Sequence, residues 1–121
     1  MKKILISIIL CGCKTAVSRE IKTETRYNQI EINAAMDEIE MEFANCTLLE
    51  LSFDETNEQN QNFDGGKIIV YGKIKVDETI GIENLEINSI CDKFFLILEV
   101  NMHGEWKIAS YGCWILGTRS I

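Results

Sequence analysis

Two runs of strict alternation in the last third of the chain leave it few folds to choose from. Phe94, Leu96, Leu98, Val100 and Met102 alternate over 93–102, and Trp106, Ile108, Ser110, Gly112 and Trp114 alternate over 105–115. A period of two puts one set of side chains on one face of an extended strand. Met102-His103-Gly104 between the runs fits a three-residue turn with glycine in the left-handed position. That turn sets Val100 opposite Trp106 and Leu98 opposite Ile108, so both apolar sets share the face that a core would cover.

The chain before this hairpin begins with a different period. Asn28-Gln29-Ile30-Glu31 has the form of a capping box, and Ile32, Ala35, Met36, Ile39 and Phe43 then recur at helical spacing. This predicts an amphipathic helix over 29–44. After Asn45 the period becomes two again: Leu49, Leu51 and Phe53 alternate with Glu50, Ser52 and Asp54. A polar loop over 54–66 leads to a second strand over 67–77. Its Ile68, Val70, Ile74 and Val76 share one face, its Tyr71, Lys73 and Lys75 the other, and Gly72 marks a bulge or bend. Residues 78–92 keep no clear period. A helix followed by strands, without β-α-β alternation, predicts an α+β fold: one N-terminal amphipathic helix packed on a curved antiparallel sheet of about four strands.

The N-terminus obeys another logic. Lys2 and Lys3 precede the apolar run Ile4–Leu10, and Cys11-Gly12-Cys13 follows at once. A basic start, a short apolar segment and a small residue at the cut are the layout of a secretory signal. Leu10-Cys11-Gly12-Cys13 also resembles a bacterial lipobox, and the resemblance implies that Cys13 is lipidated and becomes the first residue of the mature chain. The expected organisation is a signal over 1–13, a polar tether over 14–27 and a single domain over 28–121. The competing reading makes residues 4–10 a buried strand of a cytosolic domain. The run is too short to span a bilayer, which takes about 20 apolar residues.

Size and composition suit one globular domain: 121 residues, 46% hydrophobic and 26% charged. The formal charge of −7 becomes two units more negative if Lys2 and Lys3 leave with the signal. Without a cluster of Lys and Arg, a nucleic-acid partner is not expected, nor is a second, electrostatic hold on anionic lipid. A basic partner is favoured by steering. Among the five cysteines, Cys46, Cys91 and Cys113 lie beyond the lipobox, with no metal-ligand spacing. They suit buried small hydrophobes, and a Cys91–Cys113 bridge stays open. The hairpin register puts that pair on one face but diagonal, about 7–8 Å apart, where a disulfide usually needs less than about 7 Å.

Catalytic and metal-binding patterns are weak. Asn60-Gln61-Asn62-Phe63-Asp64-Gly65 matches only the first half of a calcium loop, since Tyr71 stands where a bidentate Glu is required. Gly65-Gly66-Lys67 precedes a strand rather than a helix and lacks the rest of a phosphate loop. The single histidine, His103, falls at the tip of the expected turn, where a catalytic base would be poorly held. No catalytic residue, metal or cofactor is therefore expected. The candidate binding surface is aromatic: Tyr71, Trp106, Tyr111 and Trp114. The opposing reading buries Trp106 and Trp114 in the core beneath the helix.

Cys46-Thr47-Leu48-Leu49-Glu50-Leu51-Ser52-Phe53-Asp54-Glu55, just after an amphipathic helix, is similar to a segment of small uncharacterised lipoproteins of clostridia and related Gram-positive bacteria. Gly104-Glu105-Trp106-Lys107-Ile108 with Ser110-Tyr111-Gly112 resembles their closing strand, a pattern shared with cystatin-like and nuclear-transport-factor-2-like α+β cones. The resemblance implies a lipid-anchored domain at the extracytoplasmic face of the cell membrane. The functional expectation is a non-catalytic, surface-tethered module that binds a protein or a small ligand, with homodimerisation through a sheet face as a further option. The alternatives are a small-molecule carrier or enzyme using the cavity of a cone, and a cytosolic domain that buries residues 4–10.

Overall fold

The computed structural model describes residues 17–44, 46–76 and 88–113. The elements in chain order are β1 (Ser18–Lys22), α1 (Gln29–Glu42), β2 (Thr47–Asp54), α2 (Glu58–Asn62), β3 (Lys67–Lys75), β4 (Ile90–Val100) and β5 (Trp106–Cys113). The strands form one sheet in the order β1-β2-β3-β4-β5.

Helix α1 forms where its cap and stripe require it. The Asn28 side chain accepts from the Glu31 amide at 2.9 Å, and Glu31 Oε1 accepts from the Asn28 amide at 3.0 Å, so two donors of the first turn are satisfied reciprocally. Ile32, Ala35, Met36, Ile39 and Phe43 are all buried. They meet Leu48, Leu51 and Phe53 of β2, Ile68, Val70 and Ile74 of β3, and Phe94, Leu96 and Leu98 of β4 in one core on one face of the sheet.

The architecture differs from the expected one. Among the described residues the sheet has five strands, not about four, and it is mixed: β1 runs parallel to β2, while the other pairs are antiparallel. Nor does a helix begin the domain, because β1 precedes α1 and a second short helix follows β2. Strand β1 lies inside the stretch expected as tether. Its sequence Ser-Arg-Glu-Ile-Lys offers only Ile21 to the core, so no apolar rhythm announces it. Arg19 supplies the rest of its hold. The guanidinium donates to Glu40 Oε2 from Nε (2.9 Å) and Nη2 (2.7 Å), to Asp37 Oδ1 (2.8 Å) and to Asn33 Oδ1 (2.6 Å), all on α1. Such a fork of charge-assisted bonds fixes the edge strand to the helix above it.

Three bulges interrupt the alternation. One extra residue enters β2 at Leu49, where the register with β3 shifts between Leu48 and Glu50. Another enters β4 at Asp92-Lys93, opposite the stretch of β3 between Gly72 and Ile74, the place where Gly72 suggests a bulge. The third enters β5 at Ala109, between Ile108, which faces Leu98, and Ser110, which faces Ile97. Each inserted residue swaps the faces of everything beyond it. The hairpin itself has the expected register near its tip: Val100 faces Trp106, Leu98 faces Ile108, and Gly104 has φ +81°. Past Ala109 the alternation of β5 inverts. Tyr111 and Cys113 then join the core side, in place of Ser110 and Gly112.

The same device decides the disulfide. The bulge in β4 brings Cys91 to the core face, where it is buried beside Phe94, and the bulge in β5 brings Cys113 there too. The two form a disulfide with Cα atoms 6.2 Å apart. This supersedes both the diagonal spacing that uninterrupted alternation gives and the reading of these cysteines as plain hydrophobes. Cys46 is a buried thiol.

Candidate functional site

The face of the sheet turned away from α1 carries a cleft of about 460 Å³, within the range of small-molecule sites. Its floor is built from two cross-strand pairs, Ile69 with Ile97 and Tyr71 with Phe95. These residues alternate with the core residues Ile68, Val70, Phe94, Leu96 and Leu98, so β3 and β4 are apolar on both faces through their middle. Gln59 of α2 closes one end, and Asp92 and Lys93 stand at the other. Ile69 is buried, whereas Phe95 and Ile97 are half-buried and Tyr71 is 36% exposed. Gly112 makes room for Phe95: a Cβ there would come within 3.1 Å of the ring.

Helix α2 reaches its place through one buried amide. Asn60 Nδ2 donates to the carbonyls of Asp54 (3.0 Å) and Ile69 (3.2 Å), and its Oδ1 accepts from the Ile69 amide at 2.9 Å. The side chain thus stands in for the residue of β2 that would pair with Ile69, and it carries Gln59 to the end of the cleft away from Lys93.

Loop 54–66 carries four acidic side chains, Asp54, Glu55, Glu58 and Asp64, and two of them are occupied in holding backbone. The Glu55 carboxylate is buried and accepts from the amides of Glu24 (2.7 Å), Thr25 (3.1 Å), Arg26 (2.9 Å) and Tyr27 (3.3 Å). Burial works against its charge, but the four N–H groups outweigh burial and hold the carboxyl below its ordinary value. Asp54 accepts from the hydroxyl and the amide of Thr56, which lower its pKa.

The three described members of the sequence-derived aromatic set do not gather into one surface. Tyr71 lines the cleft. Trp106 is 9% exposed and packs in the core against Tyr27, with ring centres 6.1 Å apart. Tyr111 lies on the helix side against Phe43 at 5.1 Å and Phe94 at 6.0 Å, with 46% of its surface exposed. Trp114 and the lipidation candidate Cys13 lie outside the described residues, as does the signal over 1–13. The cleft residues Ile69, Phe95, Ile97, Gln59, Asp92 and Lys93 are missed by the sequence reading. The signal for them is Phe95 and Ile97, two large apolar residues in the phase of β4 that ought to be polar. His103 sits exposed at the hairpin tip, its amide donating to Asn101 Oδ1 at 2.9 Å. Among the described residues, no three of His, Cys, Asp and Glu are grouped to hold a metal, and no helix is long and apolar enough to cross a membrane. No protein-family model, no curated protein and no solved structure matches this chain.

Proposed function

We propose that this protein is a binding module, tethered to the extracytoplasmic face of the cell membrane through a lipidated Cys13, whose ligand lies in the cleft on the outer face of the sheet. The observation that carries the reading is the cleft floor of Ile69, Tyr71, Phe95 and Ile97. A sheet face that has no core to cover is ordinarily polar, so four apolar and aromatic residues aligned across two strands there favour a ligand with an apolar body. The disulfide supports the location, because such bridges persist in oxidising compartments outside the cytosol.

The cleft is tested with the uncharged dye Nile red on the full chain carrying Cys13→Ala, so that no acyl group competes. The dye is expected to bind and fluoresce, and Ile97→Asp is expected to weaken it at least about tenfold while the circular dichroism stays unchanged. No binding by the parent chain, or equal binding by Ile97→Asp, defeats the reading. The tether is tested separately in a Gram-positive host. The wild-type chain is expected to lose residues 1–12, gain a diacylglycerol mass and partition with membranes. With Cys13→Ala both the added mass and the partitioning are expected to disappear. A full-length, soluble wild-type chain overturns the anchor.

A further inference from the structure

We infer that the ligand of this cleft is a single-chain amphiphile ending in an anion, a carboxylate in the simplest case, with its head on Lys93 and its apolar body along the floor. The inference rests on the cleft being the binding site and adds the class of ligand.

Three observations carry it. The first is charge. Among the described residues, Asp92 and Lys93 are the charged ones that line the cleft. Asp92 is answered by Lys73 Nζ at 3.6 Å, and the same ammonium lies 3.8 Å from Glu50 Oε2. Lys93 has no carboxylate within ion-pair distance among the described residues. A chain with a net charge of −7 thus places at one end of its apolar cleft a cation that no described carboxylate answers. A cationic ligand would meet that ammonium as a like charge, and an anion would complete it.

The second observation is how Lys93 comes to be there. It belongs to the bulge in β4, where Asp92 and Lys93 together oppose one residue of β3. Bulges re-aim side chains. Here the bulge lets the core residues Cys91 and Phe94 stay on one face while Lys93 turns to the cleft.

The third is shape. From Lys93 to Ile97 is four residues of strand, about 13 Å, with Phe95, Tyr71, Ile69 and Ile97 on the way and the amide of Gln59 at the far end. A site charged at one end, apolar along its length and neutral at the other end fits an extended chain better than a compact polar molecule.

Isothermal titration of the full Cys13→Ala chain with dodecanoate, dodecanol and dodecylammonium, each below its micellar concentration, separates the terms. Dodecanoate is expected to bind about fivefold tighter than dodecanol, and dodecylammonium more weakly than either. Lys93→Gln is expected to erase the advantage of the acid and leave dodecanol unchanged. If acid and alcohol bind equally, or Lys93→Gln leaves their ratio intact, the anion assignment fails while the cleft stands, since the alcohol still binds. If neither binds, the cleft itself is wrong and this inference falls with it.

Discussion

Replacing Glu55 with Gln is expected to cost about 3 kcal/mol of folding stability, a fall of about 15 °C in Tm for a domain of this size. The carboxylate is the acceptor for four successive amides, those of Glu24 to Tyr27. That turn delivers the chain from β1 to the cap of α1. A neutral amide keeps one acceptor oxygen and points an NH₂ group at donors, so buried N–H groups are left unmatched. The same carboxylate sets an acid limit. Its folded pKa lies below its ordinary value of 4.5, so its stabilisation is complete above that value. The contribution is lost as pH falls from about 4.5 through the lower folded value. Chemical denaturation of wild type and Glu55→Gln across that interval checks both points. The difference between them should shrink with acidification, and a constant difference would show that the charge of Glu55 is irrelevant to the fold.

Removing the bridge between β4 and β5 is the second large effect. Cys91 and Cys113 are 22 residues apart in sequence, and closing a loop of that length in the unfolded chain corresponds to about 3 kcal/mol. A Cys91→Ala, Cys113→Ala double variant is expected to lose about that much stability. Dithiothreitol should lower the wild-type melting temperature by a similar amount and leave the double variant unmoved. A wild-type melt indifferent to reductant would mean that the bond does not form. The bulges make the geometry possible, so the effect also reports on registers that no local pattern reveals.

The elements legible in the sequence are those whose determinants are local. The cap and stripe of α1 lie within sixteen residues, and the tip register of the β4–β5 hairpin is set by the turn at Met102-His103-Gly104. Strand β1 is different. Ser18 to Lys22 are chosen as a strand by Glu50 to Asp54, more than thirty residues later, and by an arginine whose partners sit on a helix. Composition alone makes such a segment a linker. The bulges escape for another reason. An extra Ala109 changes the phase of the rest of β5 without altering any residue's polarity, so Tyr111 and Cys113 read as outward when they face the core. The cleft is half legible: Tyr71 stands out, while Phe95 and Ile97 are hidden by a stronger alternation on the opposite face of the same strand. Helix α2 is seated by the buried Asn60 together with Arg26, which donates to the Asn60 carbonyl, and a polar residue in a polar loop gives no hint of burial.

For a domain anchored at Cys13, as proposed, strand β1 would also fix a standoff distance. With the stretch over 14–27 as a free leash, the domain would reach about 50 Å from an anchor at Cys13. Because pairing with β2 begins at Ser18, four residues remain, and a fully extended backbone over the five steps from Cys13 to Ser18 reaches about 18 Å at most. A domain so held cannot sample the depth of a cell wall or swing out to meet a distant partner. It would ride close against the headgroups, where single-chain amphiphiles leaving or entering a bilayer pass within its reach.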